Sequence, residues 1–261
     1  MVGAPVLAAR AALRTGAGLV TIASTYETVA LIDRDIEEVM TLSLPPWSEV
    51  EELIDTIETF ILNHHVSVLI IGPGLTAHAD EAIRILVSKI RLPMILDAEV
   101  FTALSNHLPV LKSTAHTNKT IILTPHPGEY ARLIKTELQY EMDNERDGAG
   151  TFAQDYNVLL VLKHHHTLVV NSNGDTYKNS TGNPGLATAG TGDVLTGIIA
   201  AIVAQKIVPY EAAKMAVYLH GLAGDMAAEL HTEPGMIASD IIDLLPEVLK
   251  KAGESFKEDL L

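Results

Sequence analysis

Apolar and polar positions along the chain fall into two kinds of run. Leu19–Ala23, Val66–Ile71, Pro93–Leu96, Ile121–Leu123 and Leu159–Leu162 are short, apolar and bounded by turn-forming residues. That is the pattern of strands buried on both faces. Between them lie stretches of helical spacing. Ala4–Thr15 predicts an alanine-rich helix that stops at Gly16 and Gly18. Ser48–Leu62 predicts another, with Ser48 as N-cap before Glu51, and Ala79–Ile90 a third. Leu168–Val170 and Thr176–Lys178, joined through Asn171-Ser-Asn-Gly174, predict an antiparallel hairpin. Helices are then expected from Asp193 to near Gln205, from Tyr210 to near His231 and from Ala238 to near Lys251. Strands alternating with helices predict an α/β protein of three layers, a largely parallel sheet with helices on both faces. No repeat or linker interrupts residues 1–261, so one domain is expected.

Composition narrows the class. Eighteen basic residues against 33 acidic ones leave a formal charge of −15, and the basic residues form no cluster. This argues against a general binder of phosphate backbones but not against nucleotides, which backbone amides and a metal can hold. With no cysteine there is no disulfide, thiolate–zinc site or thiol nucleophile, which suits a reducing cytoplasm, the expected location. The longest apolar stretch, Val194–Val203, is shorter than the roughly 20 residues that span a bilayer and predicts a buried helix.

Candidate chemistry collects where strands end or helices begin. Gly72-Pro-Gly74, Asp97, His126 and Lys163 each follow a predicted strand, and Gly182-Asn-Pro-Gly185 with Ala189-Gly-Thr-Gly-Asp193 precedes an apolar helix. In open α/β sheets the ligand crevice lies at the carboxyl ends of the strands. Glycines let a backbone approach a ligand closely, and a helix start aims free amides at an anion. Asp193 has two readings there: an N-cap, or a general base taking a proton from a substrate hydroxyl beside the anion hole. Asp97 either caps the following helix or helps position a metal.

These segments resemble the NAD(P)H-hydrate dehydratase family of the ribokinase-like superfamily. The resemblance runs through Gly3-Ala-Pro-Val-Leu-Ala-Ala9, Ala11–Val20, Ile71-Gly-Pro-Gly-Leu75, Ile95-Leu-Asp-Ala98 and Ile122-Leu-Thr-Pro-His-Pro-Gly-Glu129. It continues in Val161-Leu-Lys163 with Thr167, Gly182–Asp193 and Ala216-Val-Tyr-Leu-His-Gly221, which together cover nearly the whole chain. It implies ADP- or ATP-dependent dehydration of the S-form of hydrated NADH or NADPH, through phosphorylation of the ring hydroxyl and loss of phosphate. On it, Asp193 is the base, and Gly190, Thr191 and Gly192 form the anion hole. Lys163, His164, His165, His166, Thr167 and Gly192 contact nucleotide. Ala4, Gly74, His126 and Asp193 line the hydrated-nicotinamide site. It also implies a homotetramer and a companion NAD(P)H-hydrate epimerase. Phosphates clustered near Asp193 call for Mg²⁺. Alternatives are a small-molecule hydroxyl kinase of the same superfamily or a nucleotide-binding module without turnover.

Other residues have plainer readings. Gly74 could serve only a turn, His126 could sit in a rigid surface loop, and Glu129 is expected simply to start a helix. His164–His166 departs from the glycine that relatives carry after the lysine. Adjacent histidines on a strand would point to alternate faces, so no dedicated transition-metal site is expected. His64-His65 should be solvated, and Tyr218, His220 and Asp225 should serve packing. Family members carry a strand and a small-residue loop before the Gly3 segment. Either the numbering starts late or the sheet lacks that strand.

Overall fold

A computed structural model describes residues 2–33, 36–112, 119–135 and 148–258, the side chains of 254–258 excepted. The elements run α1 (Gly3–Arg14), β1 (Thr21–Thr25), α2 (Tyr26–Ile32), β2 (Met40–Leu44), α3 (Val50–His64), β3 (Leu69–Ile71), α4 (Asp80–Lys89), β4 (Met94–Leu96), α5 (Glu99–Leu104) and α6 (Pro109–Lys112). They continue with β5 (Ile121–Leu123), α7 (Pro127–Ile134), α8 (described over 148–156), β6 (Leu159–Leu162), β7 (Leu168–Val170) and β8 (Thr176–Lys178). The helices α9 (Thr191–Ala204), α10 (Pro209–His231) and α11 (Ala238–Glu258) complete the described chain.

Strands β3 to β8 form one sheet in sequence order, parallel through β6 and then antiparallel across β7 and β8. Because successive side chains alternate across a sheet, each fully apolar strand feeds two cores at once. Ile71, Leu96, Leu123 and Leu160 pack on the side of α3, α4, α5, α7 and α8, whereas Ile95, Ile122, Val161 and Val169 pack on the side of α9, α10 and α11. The expected three-layer α/β architecture is therefore present. β1 and β2 make a separate parallel pair over a small cluster that includes Ile22, Ile32, Ile36 and Val39.

Helix α9 is buried at every position from Val194 to Val203, as a helix clad on all sides must be. Its neighbour α1 approaches closely because Gly197 leaves no room for even a methyl group against the Ala8 carbonyl. The alanines Ala8, Ala9, Ala11 and Ala12 are all buried, so α1 serves as a thin spacer rather than a bulky one.

Several expectations need correction. Ser48 does not cap α3: the helix begins at Val50 after Glu49, with no side-chain cap. The strand predicted over Leu19–Ala23 lies two residues later, at Thr21–Thr25. The elements α2, β2, α5, α6 and α8 were not expected. Most of these helices are short, and Met40–Leu44 is polar at alternate positions on a strand at the margin of the molecule. His164–His166 lies in the turn between β6 and β7 and not on a strand, so the face-alternation argument does not apply there. Among the described residues no cluster of three or more His, Asp or Glu side chains is arranged to hold a metal ion. His64 and His65 are exposed at the end of α3, as expected.

Candidate active site

The parallel register sets Gly72, Asp97 and Thr124 side by side at the carboxyl ends of β3, β4 and β5. Backbone bonds extend the ladder past the strands: Asp97 N donates to Ile71 O at 3.0 Å, Thr124 N to Leu96 O at 3.1 Å, and Lys163 N to Pro125 O at 2.8 Å. Gly72, at φ 128°, lies so close to the Asp97 backbone that an added methyl carbon would sit 2.7 Å from the Asp97 carbonyl carbon. The next residue, Ala98, holds φ 51° and ψ −118°, a conformation that costs an alanine roughly 1–3 kcal/mol. It turns the chain just where the Asp97 side chain leaves the sheet.

Asp97 does not cap α5, which has no side-chain cap. It is 2% exposed, and both its oxygens are engaged: Lys163 Nζ donates to Oδ1 at 2.8 Å, and the Thr196 hydroxyl donates to Oδ2 at 3.0 Å. The same hydroxyl lies 3.0 Å from the Gly192 carbonyl, so the end of β4 and the start of α9 are tied through one side chain. Lys163 passes beside Gly192, where an added methyl carbon would lie 3.1 Å from Nζ. The lysine expected to contact nucleotide thus stands beside the Gly192 backbone while paired with Asp97.

Asp193 is the third residue of α9 rather than its cap. The cap position belongs to Gly190, which takes the left-handed φ of 89° and offers no side chain. Two consequences follow. The Gly190–Gly192 amides of the first turn are free of side-chain caps, and the Asp193 carboxylate makes no hydrogen bond among the described residues. Burial first, then the nearby Asp97 carboxylate, raises its pKa to about 6, with Glu129 adding to the rise and Lys163 opposing it. Thr191 is buried, and its hydroxyl lies 2.7 Å from the Leu186 carbonyl and 2.9 Å from that of Thr188. Its amide lies 3.4 Å from the same Thr188 carbonyl, a long bond that closes the turn into α9.

His126 caps α7. Its Nδ1 accepts from the amides of Gly128 at 3.1 Å and Glu129 at 3.3 Å, and Glu129 Oε2 accepts from the His126 amide at 2.8 Å. That reciprocal pair is a capping box, so Glu129 starts the helix as expected. Glu129 also belongs to the charge cluster. Burial raises its pKa, Asp97 adds to that, and Lys163 and His126 oppose it. Sequence reasoning missed this second role because only the fold brings Glu129 to Lys163.

The remaining predicted residues are dispersed around this cluster. Gly74 takes φ 78° in the loop after β3. Ala4 lies in the first turn of α1, one turn before Leu7, whose Cδ1 packs against Gly190. His164, His165 and His166 are exposed, the last two rings 4.2 Å apart, and Thr167 Oγ1 donates to the His164 carbonyl at 3.4 Å. A separate concavity of about 900 Å³ along α3 is lined by Glu49, Glu52, Asp55 and Phe60 and contains none of these residues.

Residues 1–247 match the family model described as NAD(P)H-hydrate dehydratase. The chain belongs to the NAD(P)H-hydrate dehydratase family. It is 38% identical over 257 residues to the bifunctional NAD(P)H-hydrate repair enzyme of Moorella thermoacetica, covering 97% of this chain and 48% of that protein. The chain spans about half the length of this and several other curated relatives. It is 33% identical over 245 residues to the ADP-dependent (S)-NAD(P)H-hydrate dehydratase of Neisseria meningitidis serogroup B, covering 92% of this chain and 78% of that one. The solved ADP/ATP-dependent NAD(P)H-hydrate dehydratase of Bacillus subtilis, co-crystallised with ATP and Mg²⁺ and soaked with CoA, superposes with a TM-score of 0.79 at 29% identity. That match covers 96% of this chain and 87% of the solved one. The fold of this family member is ribokinase-like.

Proposed function

We propose that this chain dehydrates the S-form of hydrated NADH or NADPH, using ADP or ATP as phosphoryl donor. The observation that carries the reading is the Asp193 carboxylate, without a hydrogen bond among the described residues, third in α9 and beside Gly190–Gly192, with a pKa raised to about 6. A carboxylate in that state can accept a proton from a hydroxyl near neutral pH. The freed oxygen attacks the terminal phosphoryl group of the nucleotide, and the bond from that phosphorus to the bridging oxygen breaks, releasing AMP from ADP or ADP from ATP. The ring then loses phosphate together with a ring proton, and the reduced nicotinamide is restored. Phosphorylation is needed because hydroxide is a poor leaving group.

Gly190, Thr191 and Gly192 contribute backbone amides to the transferred group, where one donor is worth roughly 3–4 kcal/mol. Lys163 and the turn His164, His165, His166 and Thr167 contact nucleotide. Ala4, Gly74 and His126 border the nicotinamide side. Glu129 and Asp193 supply hard oxygen donors whose pKa values are raised first by burial, with Asp97 adding to the rise. With no cage of three such groups among the described residues, they fit Mg²⁺ arriving on the nucleotide phosphates. The ion would neutralise phosphate charge there. The proposal extends to a single domain over residues 1–261, a homotetramer, a cytoplasmic location and an epimerase that supplies the S-form. No described helix is long and apolar enough to cross a membrane.

The test supplies enzymatically hydrated NADH, Mg²⁺ and either ADP or ATP, and follows the return of reduced-nicotinamide absorbance. Recovery with one nucleotide alone establishes the activity and names the donor. Nucleotide binding without recovery would refute it and leave a different hydroxyl substrate.

A further inference from the structure

Helix α10 makes several of the hydrogen bonds that hold the glycine loop before α9. On α10, Asp225 accepts from the Gly182 amide at 2.9 Å and from Asn183 Nδ2 at 3.1 Å. The Tyr218 carbonyl accepts from the Thr181 hydroxyl at 2.9 Å, and the Val217 carbonyl accepts from Asn179 Nδ2 at 3.1 Å. Gly221 leaves no room for a methyl group against the Thr181 backbone, and Gly224 lies under the Leu186 side chain, so loop and helix are closely packed.

One bond from α10 reaches further, into the anion hole. His220, 9% exposed, places Nε2 2.9 Å from the Thr191 carbonyl. A carbonyl only accepts, so Nε2 carries the proton and the tautomer is determined. The peptide that contains the Thr191 carbonyl also contains the Gly192 amide. Gly192 is the second residue of α9, so its amide has no partner within the helix. A hydrogen bond donated to the carbonyl of a peptide fixes the plane of that peptide and polarises its N–H, making it a stronger donor.

We propose that His220 is a positioning residue for phosphoryl transfer: its Nε2–H orients and polarises the Thr191–Gly192 peptide, so that the Gly192 amide is aimed at the transferred group. Burial, aided by the positive charge of Lys163 and opposed by the bond to Thr191, lowers the imidazole pKa to about 4. The ring therefore stays neutral at physiological pH and adds direction without adding a charge beside Lys163. The same geometry explains why a histidine suits this helix position better than an apolar residue of equal size: an apolar side chain would fill the space and leave the carbonyl without its second donor.

The inference rests on the phosphoryl-transfer reading, and the test separates the two. His220→Leu and His220→Gln are compared with wild type. Glutamine keeps an N–H at the end of a side chain of similar reach, whereas leucine keeps only bulk. The expected result is a kcat lowered about 10–100-fold in the leucine variant, since the affected donor is one of several. KM for nucleotide should be little changed, and much of the loss should be restored in the glutamine variant. In amide nitrogen–proton NMR spectra the Gly192 signal should move upfield with leucine and remain near its wild-type position with glutamine. An unmoved Gly192 signal and wild-type kcat in a folded leucine variant would overturn the proposal. So would equal losses in both variants that track their melting temperatures. Should leucine prevent folding, the glutamine variant decides alone: wild-type-like kcat and Gly192 signal support the role, and a kcat loss in a protein of unchanged melting temperature refutes it. If the wild type restores no NADH, the reading of the reaction fails, while the Gly192 signal together with the affinity for orthovanadate still judges His220.

Discussion

Asp97, at the end of β4, and Asp193, in the first turn of α9, share one electrostatic field with opposite attachments. Asp97 is almost fully buried, with a lysine on one oxygen and a hydroxyl on the other. Asp193 is half-buried and free of hydrogen bonds among the described residues, and its pKa is pushed up by burial and by Asp97 itself. The first carboxylate is committed to its partners and serves as a fixed negative charge. The second is left with an unmet demand for a proton, and part of that demand is imposed by the first. Attachment thus separates the anchor, whose lone pairs are filled, from the carboxylate proposed as base, whose lone pairs are open among the described residues.

Exchanging the carboxylate at the free position should have the largest effect. Asp193→Asn is expected to reduce kcat by roughly 10²–10⁴-fold or more, with nucleotide affinity within a few fold. Steady-state turnover and calorimetric titration check this, and near-normal turnover would remove Asp193 from the role of base. Breaking the anchored position acts on stability instead. Lys163→Met leaves Asp97 buried without its cation, a loss expected to cost about 3–5 kcal/mol in urea unfolding. Adding Asp97→Asn to that variant should recover part of the loss. If the double variant is no more stable than the single one, the anchor does not depend on the ion pair.

The third prediction concerns pH. Above about pH 6 Asp193 is ionised, so kcat/KM should rise through that value and level off. The stability effect has the opposite sign. A folded pKa raised above the unfolded one means that the native state keeps a proton the unfolded chain has released, so stability falls as pH climbs from about 4 to about 6. Asp193→Asn should therefore be more stable than wild type near pH 7, by about 1 kcal/mol once solvent screening is allowed for, and equal to it near pH 3.5. Melting curves at the two pH values decide it, and a variant less stable at neutral pH would contradict the uncompensated carboxylate. The smallest effect belongs to the cap. His126→Ala should cost about 1 kcal/mol of stability by opening the capping box of α7. A drop in activity larger than that would instead favour contact of His126 with substrate.

Much of the fold was legible because a strand buried on both faces must be apolar throughout. Ile121–Leu123, Leu159–Leu162 and the β7–β8 hairpin lie at the expected residues. The exposed pair β1–β2 and the short helices α2, α5 and α6 were harder to read, since a few residues resting on a neighbour carry little periodicity of their own. The glycine loop before Asp193 was legible for a different reason. Left-handed φ at Gly182 and Gly190, and the close approaches of Gly185 and Gly190 to their neighbours, exclude other residue types.

The chain by itself determined the layered α/β class and the glycine loop that opens α9, because these follow from local apolar patterning and backbone sterics. Only the tertiary structure decided which carboxylate is anchored and which is free, that Glu129 shares the field of Lys163, and that His220 reaches the Thr191 carbonyl. Those outcomes depend on residues far apart in sequence, 66 positions for Lys163 and Asp97 and 29 for His220 and Thr191. Proton affinity and hydrogen-bond partnership are set by burial and distance in space, and spacing along the chain does not encode them.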